Sequence, residues 1–297
     1  MNILTRWPLL RILLCGIALL LASGCSTLRI GYGHFDSVAS WMAHDYFDLN
    51  PDQRDAFTRH FGRLHDWHRY EQLPEYARFL EEMQKRAARG LRAADMLWLV
   101  DGLKQRYAQI AARGAADAAD LLATLSPAQI ESFKQQLDKD NRKFLRENRT
   151  EAGEAERRKV IEQRTLSQLR EWVGPLSTAQ QARITDLLKT TPLVDQLRHQ
   201  DRLRRQREFL ALLELRKGER RIFAQRLRDW LEHWEAGRDA AQAKLFEESW
   251  KKRAELYEAV DRMLTATQRN HLLDRIQDYI DDFRELAKRR SGGAPAR

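Results

Sequence analysis

The chain has 297 residues, enough for one large or two ordinary domains with a buried core. Charged residues make up 32% of the chain and hydrophobic residues 43%, a balance typical of a globular, helix-rich protein. The 14 Gly and 7 Pro are too few for a collagen-like, low-complexity or turn-dense all-β protein, and two Cys exclude a disulfide scaffold. Lysine and arginine number 52 against 43 aspartate and glutamate, which gives a formal net charge of +9.

The first 24 residues have the pattern of a secretory signal peptide. Arg6 and Arg11 are the only charged residues before Cys25, and the apolar run over 12–22 is shorter than the about 20 residues that span a bilayer. Small residues then precede Cys25. This arrangement resembles the lipobox of bacterial lipoproteins, in which the leader is cut off before a Cys whose sulfur carries a diacylglycerol. The alternative is an ordinary secretory leader.

Lipidation of Cys25 would leave the mature chain without a free thiol, because Cys15 leaves with the leader. Cysteine catalysis and thiolate metal sites would then be excluded. In Gram-negative lipoproteins an Asp after the lipidated Cys commonly retains the protein in the inner membrane, whereas this chain has Ser26. The resemblance therefore implies a protein anchored in the outer membrane that faces the periplasm, where nucleic acid is not a partner.

Beyond Cys25 the sequence predicts an all-α, elongated array of about ten or eleven helices, in one body or two lobes. Gly and Pro interrupt helix-period patterns at intervals, and no stretch shows sustained strand alternation. We expect a lipid-anchored linker over 25–35, helical lobes over 36–174 and 175–290, and a disordered tail over 291–297. The predicted helices cover about 36–48, 51–70, 74–89, 92–123, 127–149, 153–173, 178–190, 193–216, 219–236, 238–263 and 266–289.

Four of these helices begin with the same Leu-x-x-x-Gln pattern. In each copy Asn, Ser or Thr follows the Leu as a helix cap, and the Gln three residues later can accept a hydrogen bond from the backbone N–H of the cap residue. Apolar residues four and eight places after each Gln share one helix face. Capping alone accounts for the pattern, and the copies are Leu49 to Gln53, Leu125 to Gln129, Leu176 to Gln180 and Leu264 to Gln268.

The same pattern is similar to the Leu-Thr-x-x-Gln repeat of small periplasmic helical chaperones, which bind unfolded proteins. The segment after the anchor resembles a family of uncharacterised Gram-negative lipoproteins. This likeness implies a fold type and a cellular location but no mechanism. A fainter likeness, the Asp-Tyr-Phe order at 45–47, is to the membrane-anchored steric chaperones of secreted lipases. The residues matching the lipoprotein family are Cys25, Ser26, Arg29, Tyr32, Trp41, Asp45 to Leu49, Gln53, Trp67 to Arg69, Leu73 and Pro74.

Histidine and aspartate are concentrated early in the mature chain. His44 and Asp48 lie one helical turn apart, and His65 and His68 lie at similar spacing, so these four residues are weak candidates for a Zn²⁺ site. Core or surface histidines explain them more simply, and we expect no metal and no cofactor. No G-x-S-x-G, P-loop or dinucleotide-binding fingerprint occurs.

The basic charge is concentrated in residues 198–228, which hold eleven Arg and Lys against four Asp and Glu, a net charge of +7. The mature chain as a whole also carries +7, because the leader removes only Arg6 and Arg11. Solvated helix faces would account for this run. The functional hypothesis is binding of an envelope polyanion, which is an anionic lipid, lipopolysaccharide or an acidic protein, through Arg202, Arg204, Arg205 and Arg207.

Together these features predict a non-enzymatic periplasmic module that binds a ligand or acts as a chaperone for unfolded protein. A steric foldase-like helper of a secreted enzyme is one alternative. A metal-dependent envelope hydrolase that uses the His/Asp-rich helices is another.

Overall fold

The computed structural model describes residues 27–288, so Cys25, the signal peptide and the tail lie outside the described residues. The predicted all-α, multi-helix fold is confirmed: residues 27–288 contain eleven α-helices of twelve residues or more, one shorter α-helix and no strand. The helices are α1 (Thr27–Gly33), α2 (Phe35–Phe47), α3 (Pro51–Trp67), α4 (Leu73–Ala88), α5 (Ala93–Ala123), α6 (Pro127–Asn148), α7 (Glu154–Val173), α8 (Thr178–Lys189), α9 (Asp195–Glu214), α10 (Arg220–Glu232), α11 (Ala240–Arg262) and α12 (Ala266–Ala287).

Two local features differ from the sequence prediction. Residues 27–33, within the predicted linker, form α1, which is held by an Arg29–Asp282 ion pair of 2.7 Å and by the Tyr32 ring packed on α3. The predicted break before Pro74 is instead a π-turn over His68–Gln72 that joins α3 to α4. Pro74 has no N–H to donate and would clash with the carbonyl of residue 70, so a wider turn accommodates it.

All four predicted capping boxes are present. At each helix start the side chain of Asn50, Ser126, Ser177 or Thr265 accepts a bond from the N–H of the following Gln. The Gln Oε1 accepts from the N–H of the cap residue in return, over 2.9–3.1 Å. Two backbone N–H groups that a helix start leaves without a partner are thereby satisfied in every copy.

The capping glutamines also bind one another in pairs. Gln53 Nε2 donates to Gln129 Oε1 over 3.2 Å, and Gln129 Nε2 donates to Gln53 Oε1 over 2.6 Å. Each amide also donates to a carbonyl in the other's loop, that of Thr124 or Asp48. Both glutamines are buried, and this network satisfies their amides. It fixes the start of α3 against the start of α6.

Gln180 and Gln268 form an equivalent pair between α8 and α12. Gln180 Nε2 donates to Gln268 Oε1 over 2.8 Å, and the reciprocal bond is 3.1 Å. The loop carbonyls that accept here are those of Met263 and Pro175. Pro175 follows Gly174, which ends α7 with φ of 80°, a conformation that glycine adopts without strain.

Each glutamine pair borders one of two apolar clusters. The first cluster joins buried side chains of α4, α7, α8, α11 and α12, among them Ile184 and Ile280, neither of which is exposed. The second joins the motif residues Leu49 and Leu125 to side chains of α5, α6, α9 and α10. Each cluster draws on residues from both sides of Gly174. The division into lobes at that residue stays a prediction.

The long helix α5 packs against helices of both clusters. Its 31 residues extend for about 46 Å, and it packs against α3, α4, α10 and α11. Ala119 and Leu122 near its C-terminal end belong to the second cluster. Its N-terminal half faces α4 and α11. One rigid helix therefore sets the distance between the helices that pack on either side of it.

The capping boxes predict a specific pattern of stability. Ser126→Ala and Thr265→Ala should each lower the free energy of unfolding by about 0.5–2 kcal/mol, because a backbone N–H at the helix start loses its acceptor. Thr267, two residues after Thr265, has an exposed side chain that caps no helix. Thr267→Ala should therefore stay within about 0.5 kcal/mol of the parent. Denaturant unfolding measures all three, and equal midpoints for Thr265→Ala and Thr267→Ala would contradict the capping assignment.

Candidate functional site

Two apolar cavities lie between the helices. The first, here named the Trp172 cavity, has a volume of about 760 Å³ and lies between α4, α5, α7, α11 and α12. The second, the Phe133 cavity, has a volume of about 570 Å³ and lies between α2, α3, α5, α6, α9 and α10. Ligand sites in proteins commonly have volumes of about 300–1,000 Å³. Helix α5 contributes to the walls of both cavities.

The Trp172 cavity has walls of aromatic and aliphatic side chains. Leu103 and Tyr107 of α5 and Trp172 of α7 line it and are exposed to solvent, which places them at its mouth. Trp172 stacks on Tyr279 of α12 with a centroid distance of 5.6 Å. Deeper side chains such as Leu272 and Ile276 belong to the first apolar cluster, and the others include Phe79, Leu80, Met83, Leu169 and Val260.

Three charged side chains line this cavity, and two of them have charged partners. Asp261 accepts two bonds of 2.8 Å from Arg269. Glu171 accepts a bond of 3.3 Å from Arg275. The third is Arg106 of α5, which forms no ion pair with an Asp or Glu among residues 27–288.

Arg106 lies against aromatic rings rather than against a carboxylate. Its guanidinium carbon is 3.7 Å from the centre of the Phe79 ring and 5.7 Å from that of Tyr76. Its Nη1 donates to the carbonyl of Gly102 over 3.0 Å, but its buried Nε has no acceptor within the described part of the chain. Burial lowers the pKa of Arg106.

Gly102 allows this arrangement. A Cβ atom at position 102 would lie 2.4 Å from two carbons of the Phe79 ring, closer than real atoms approach. The absent side chain lets the ring lie against the backbone of α5, and Arg106 one turn later then covers the ring. The sequence signal for this site is a single Arg inside the apolar stripe of α5, formed by Leu99, Leu103, Tyr107 and Ile110. A search for dense runs of charge misses it.

The Phe133 cavity differs in that its charged side chains all have partners. Asp117 binds His60 and Arg63 over 2.8 and 2.9 Å. The cations Arg202 and Arg205 line the same cavity and are two of the four residues for which sequence analysis predicts polyanion binding.

Arg202 and Arg205 make contacts within the protein. Arg202 donates to Asn141 over 2.8 Å and lies 3.7 Å from a carboxylate oxygen of Asp140. Arg205 donates to the carbonyl of Trp230 over 2.7 Å, and its guanidinium carbon is 3.7 Å from the centre of that ring. Both guanidinium groups therefore hold helices together.

Arg204 is also committed to the interior. It forms ion pairs of 2.7 Å with Asp201 and 2.6 Å with Glu208, and it donates to the carbonyl of Ala236. Only 14% of its side chain is exposed. Arg207 is the one exposed member of the predicted set of four. The four residues thus do not share one exposed face, because a charge run wrapped around a buried helix divides between the core and the solvent.

The histidine candidates also have structural roles. His44 Nδ1 is 3.1 Å from the carbonyl of Leu49, and Asp48 ends α2 in a left-handed conformation. His68 Nδ1 is 2.8 Å from the hydroxyl of Tyr32, whose ring also packs on His65.

Burial lowers the pKa of His68 to about 4 and lowers that of His65 as well. The His68 ring is therefore neutral at pH 7, and burial favours the neutral form of His65. Within residues 27–288, no three His, Cys, Asp or Glu side chains are grouped as a metal site requires. The four predicted candidates do not form one cluster.

One protein-family model matches residues 45–238, more than half of the chain, and its description is a family of unknown function, DUF6279. No curated protein matches the chain, and no solved structure matches it. The matched segment includes Arg106, Trp172 and the first three Leu-x-x-x-Gln motifs. The chain therefore belongs to the DUF6279 family of unknown function.

Proposed function

We propose that this protein is a lipid-anchored, non-enzymatic binding protein of the outer membrane that faces the periplasm and takes an apolar ligand into the Trp172 cavity. The observation that carries the proposal is the cavity itself. Its volume of about 760 Å³ is in the range of ligand sites, and its walls are largely apolar. Solvent-exposed Leu103, Tyr107 and Trp172 provide an apolar entrance.

The sequence around Cys25 supports anchoring by lipid. No helix within residues 27–288 is long and apolar enough to cross a bilayer. Two or more acyl chains hold a protein on a membrane durably, whereas a single chain does not.

Helix α2, which begins ten residues after Cys25, has an apolar face suited to the bilayer surface. Its side chains Val38, Trp41 and Met42 are exposed, Trp41 by 65%, and no residue of α2 is buried. Tryptophan favours the boundary between membrane and water. The chain that leads from Cys25 into α1 and α2 would bring this face to the membrane that the lipid enters.

Chaperone-like capture of an unfolded protein segment is the second candidate, and the open, aromatic mouth of the Trp172 cavity favours it. Binding of an envelope polyanion is compatible with either function, and it would use exposed cations such as Arg207, Arg221 and Arg226. A steric foldase-like helper would use the same apolar surfaces. A His/Asp hydrolase has the weakest support, because His44 and His68 bond to Leu49 and Tyr32.

Two substitutions that should change the membrane localisation of the protein test the lipid anchor. Cys25→Ala should no longer fractionate with the outer membrane, because the residue that carries the lipid is gone. Ser26→Asp keeps Cys25 and should shift the protein to the inner membrane. Density-gradient fractionation of the cell envelope measures both variants. Sedimentation of Cys25→Ala with the outer membrane, as for the parent, would show that the anchor assignment is wrong.

The cavity is tested with a neutral apolar probe, a long-chain alcohol carrying a photoreactive diazirine. In isolated envelopes the probe should label residues of the Trp172 cavity. Leu99→Trp replaces an isobutyl side chain of the cavity wall with a larger indole ring, which fills part of the cavity. It should reduce that labelling about tenfold or more, equivalent to about 1.4 kcal/mol of binding energy. Mass spectrometry of the labelled peptides measures the change.

Ile222→Trp is the matched control. Ile222 is an exposed apolar residue that lines neither cavity, so the same substitution there should leave the labelling of the Trp172 cavity unchanged. If Leu99→Trp and the parent are labelled equally in the cavity, the proposed function fails.

A further inference from the structure

Arg106 forms no ion pair with an acidic side chain among residues 27–288; Glu75 favours its charged form electrostatically but is itself paired with Arg78. Each of the other charged side chains that line the two apolar cavities has an ion-pair partner at 3.9 Å or less: Glu171, Asp261, His60, Asp117, Arg202 and Arg205. Arg106 has only the Phe79 and Tyr76 rings and one backbone carbonyl. Its buried Nε donates to nothing in the described chain.

An unpaired cation in an apolar wall is unfavourable. Buried charges in proteins are normally paired, and a buried donor without an acceptor loses the hydrogen bond that it makes with water. The Phe79 ring stabilises the guanidinium through its π-electrons, but it leaves the Nε–H without an acceptor. The cavity wall therefore presents a guanidinium without an ion-pair partner, whose Nε–H has no acceptor among residues 27–288.

The position of Arg106 also determines how a ligand would be oriented in the cavity. Its side chain lines the Trp172 cavity and also an adjoining cleft formed by residues of α4 and α5, among them Trp98, Asp101 and Gln105. Asp101 and Gln105 are exposed, so this cleft opens to solvent. A group bound at Arg106 would lie at the boundary between water and the apolar interior.

We propose that the ligand of the Trp172 cavity is an amphiphile with one acyl chain and an acidic head group, a carboxylate or a phosphate. The acyl chain lies in the cavity, between α4, α5 and α12, and the head group accepts hydrogen bonds from the Arg106 guanidinium at the cleft. This inference rests on the proposed function, since it names the ligand of the same cavity. A guanidinium suits both head groups, because its planar array of donors matches carboxylate and phosphate oxygens.

The test compares an acid with an alcohol of the same chain length. Diazirine-carrying palmitic acid and palmityl alcohol are added separately to envelopes that contain the full-length protein, either the parent or Arg106→Gln. Arg106→Gln should reduce cavity labelling by the acid about tenfold or more, because a charge-assisted hydrogen bond is lost. Labelling by the alcohol should stay within about twofold, since its chain meets the same walls.

Two further arms complete the experiment. Arg54→Gln removes an exposed arginine of α3, outside both cavities, and should change neither labelling. Unlabelled palmitate and unlabelled lysophosphatidate, added as competitors, distinguish a carboxylate from a phosphate head group. The stronger competitor identifies the head group that the site prefers.

The outcomes separate the inference from the function on which it rests. If the alcohol labels the cavity but Arg106→Gln reduces acid and alcohol equally, or reduces neither, the acidic ligand is wrong and the apolar site stands. If neither compound labels the parent in the cavity, both proposals fail. Retained alcohol labelling in Arg106→Gln also shows that the variant is folded.

Discussion

Two pairs of glutamine amides determine how the helices of this protein are joined. A helix start leaves backbone N–H groups without partners, and here a Gln three residues into the helix satisfies one of them. The Nε2 group of each amide has two N–H donors, and it donates to a second Gln and to a carbonyl in that partner's loop. Four separate helix starts thereby become two fixed junctions, one between α3 and α6 and one between α8 and α12.

The two cavities lie beside the clusters that these junctions border. The helix α5 packs against helices of both clusters and lines both cavities. The Trp172 cavity is the space between α5 and the helices of the first cluster. Its walls carry many large side chains, yet they leave a volume that water or an apolar ligand must fill. The acidic amphiphile is the proposed ligand because Glu171 and Asp261 of the cavity wall already have arginine partners, whereas Arg106 has no ion-pair partner among residues 27–288.

The sequence was informative where the interactions are local. Helix periodicity predicted the all-α fold, and the spacing within Leu-x-x-x-Gln predicted all four capping boxes, because cap and Gln are three residues apart. The pairing of Gln53 with Gln129, 76 residues away, could not be predicted in the same way, since any two of the four motifs satisfy the pattern equally well.

The candidate sites show the same limit. The basic run over 198–228 is visible in the sequence, but whether Arg204 faces solvent or Asp201 depends on how α9 packs against residues 234–238. Arg205 is held by Trp230, a contact that charge counting does not contain. Arg106 is a lone cation in an apolar stripe, and its significance depends on its having no ion-pair partner among residues 27–288, which only the tertiary structure shows. Whether a charged side chain has an ion-pair partner is determined by the tertiary structure.

A double-mutant cycle tests the glutamine pairs most directly. Methionine resembles Gln in length and helix propensity but cannot make the amide bonds. Gln180→Met and Gln268→Met should each lower the free energy of unfolding by about 1–3 kcal/mol, because each leaves the partner amide unsatisfied. The double variant should lose less than the sum by at least about 0.5 kcal/mol, whereas Gln180→Met with Gln129→Met, from the other pair, should be additive. Additivity in both combinations, measured by denaturant unfolding, would contradict the pairing of Gln180 with Gln268.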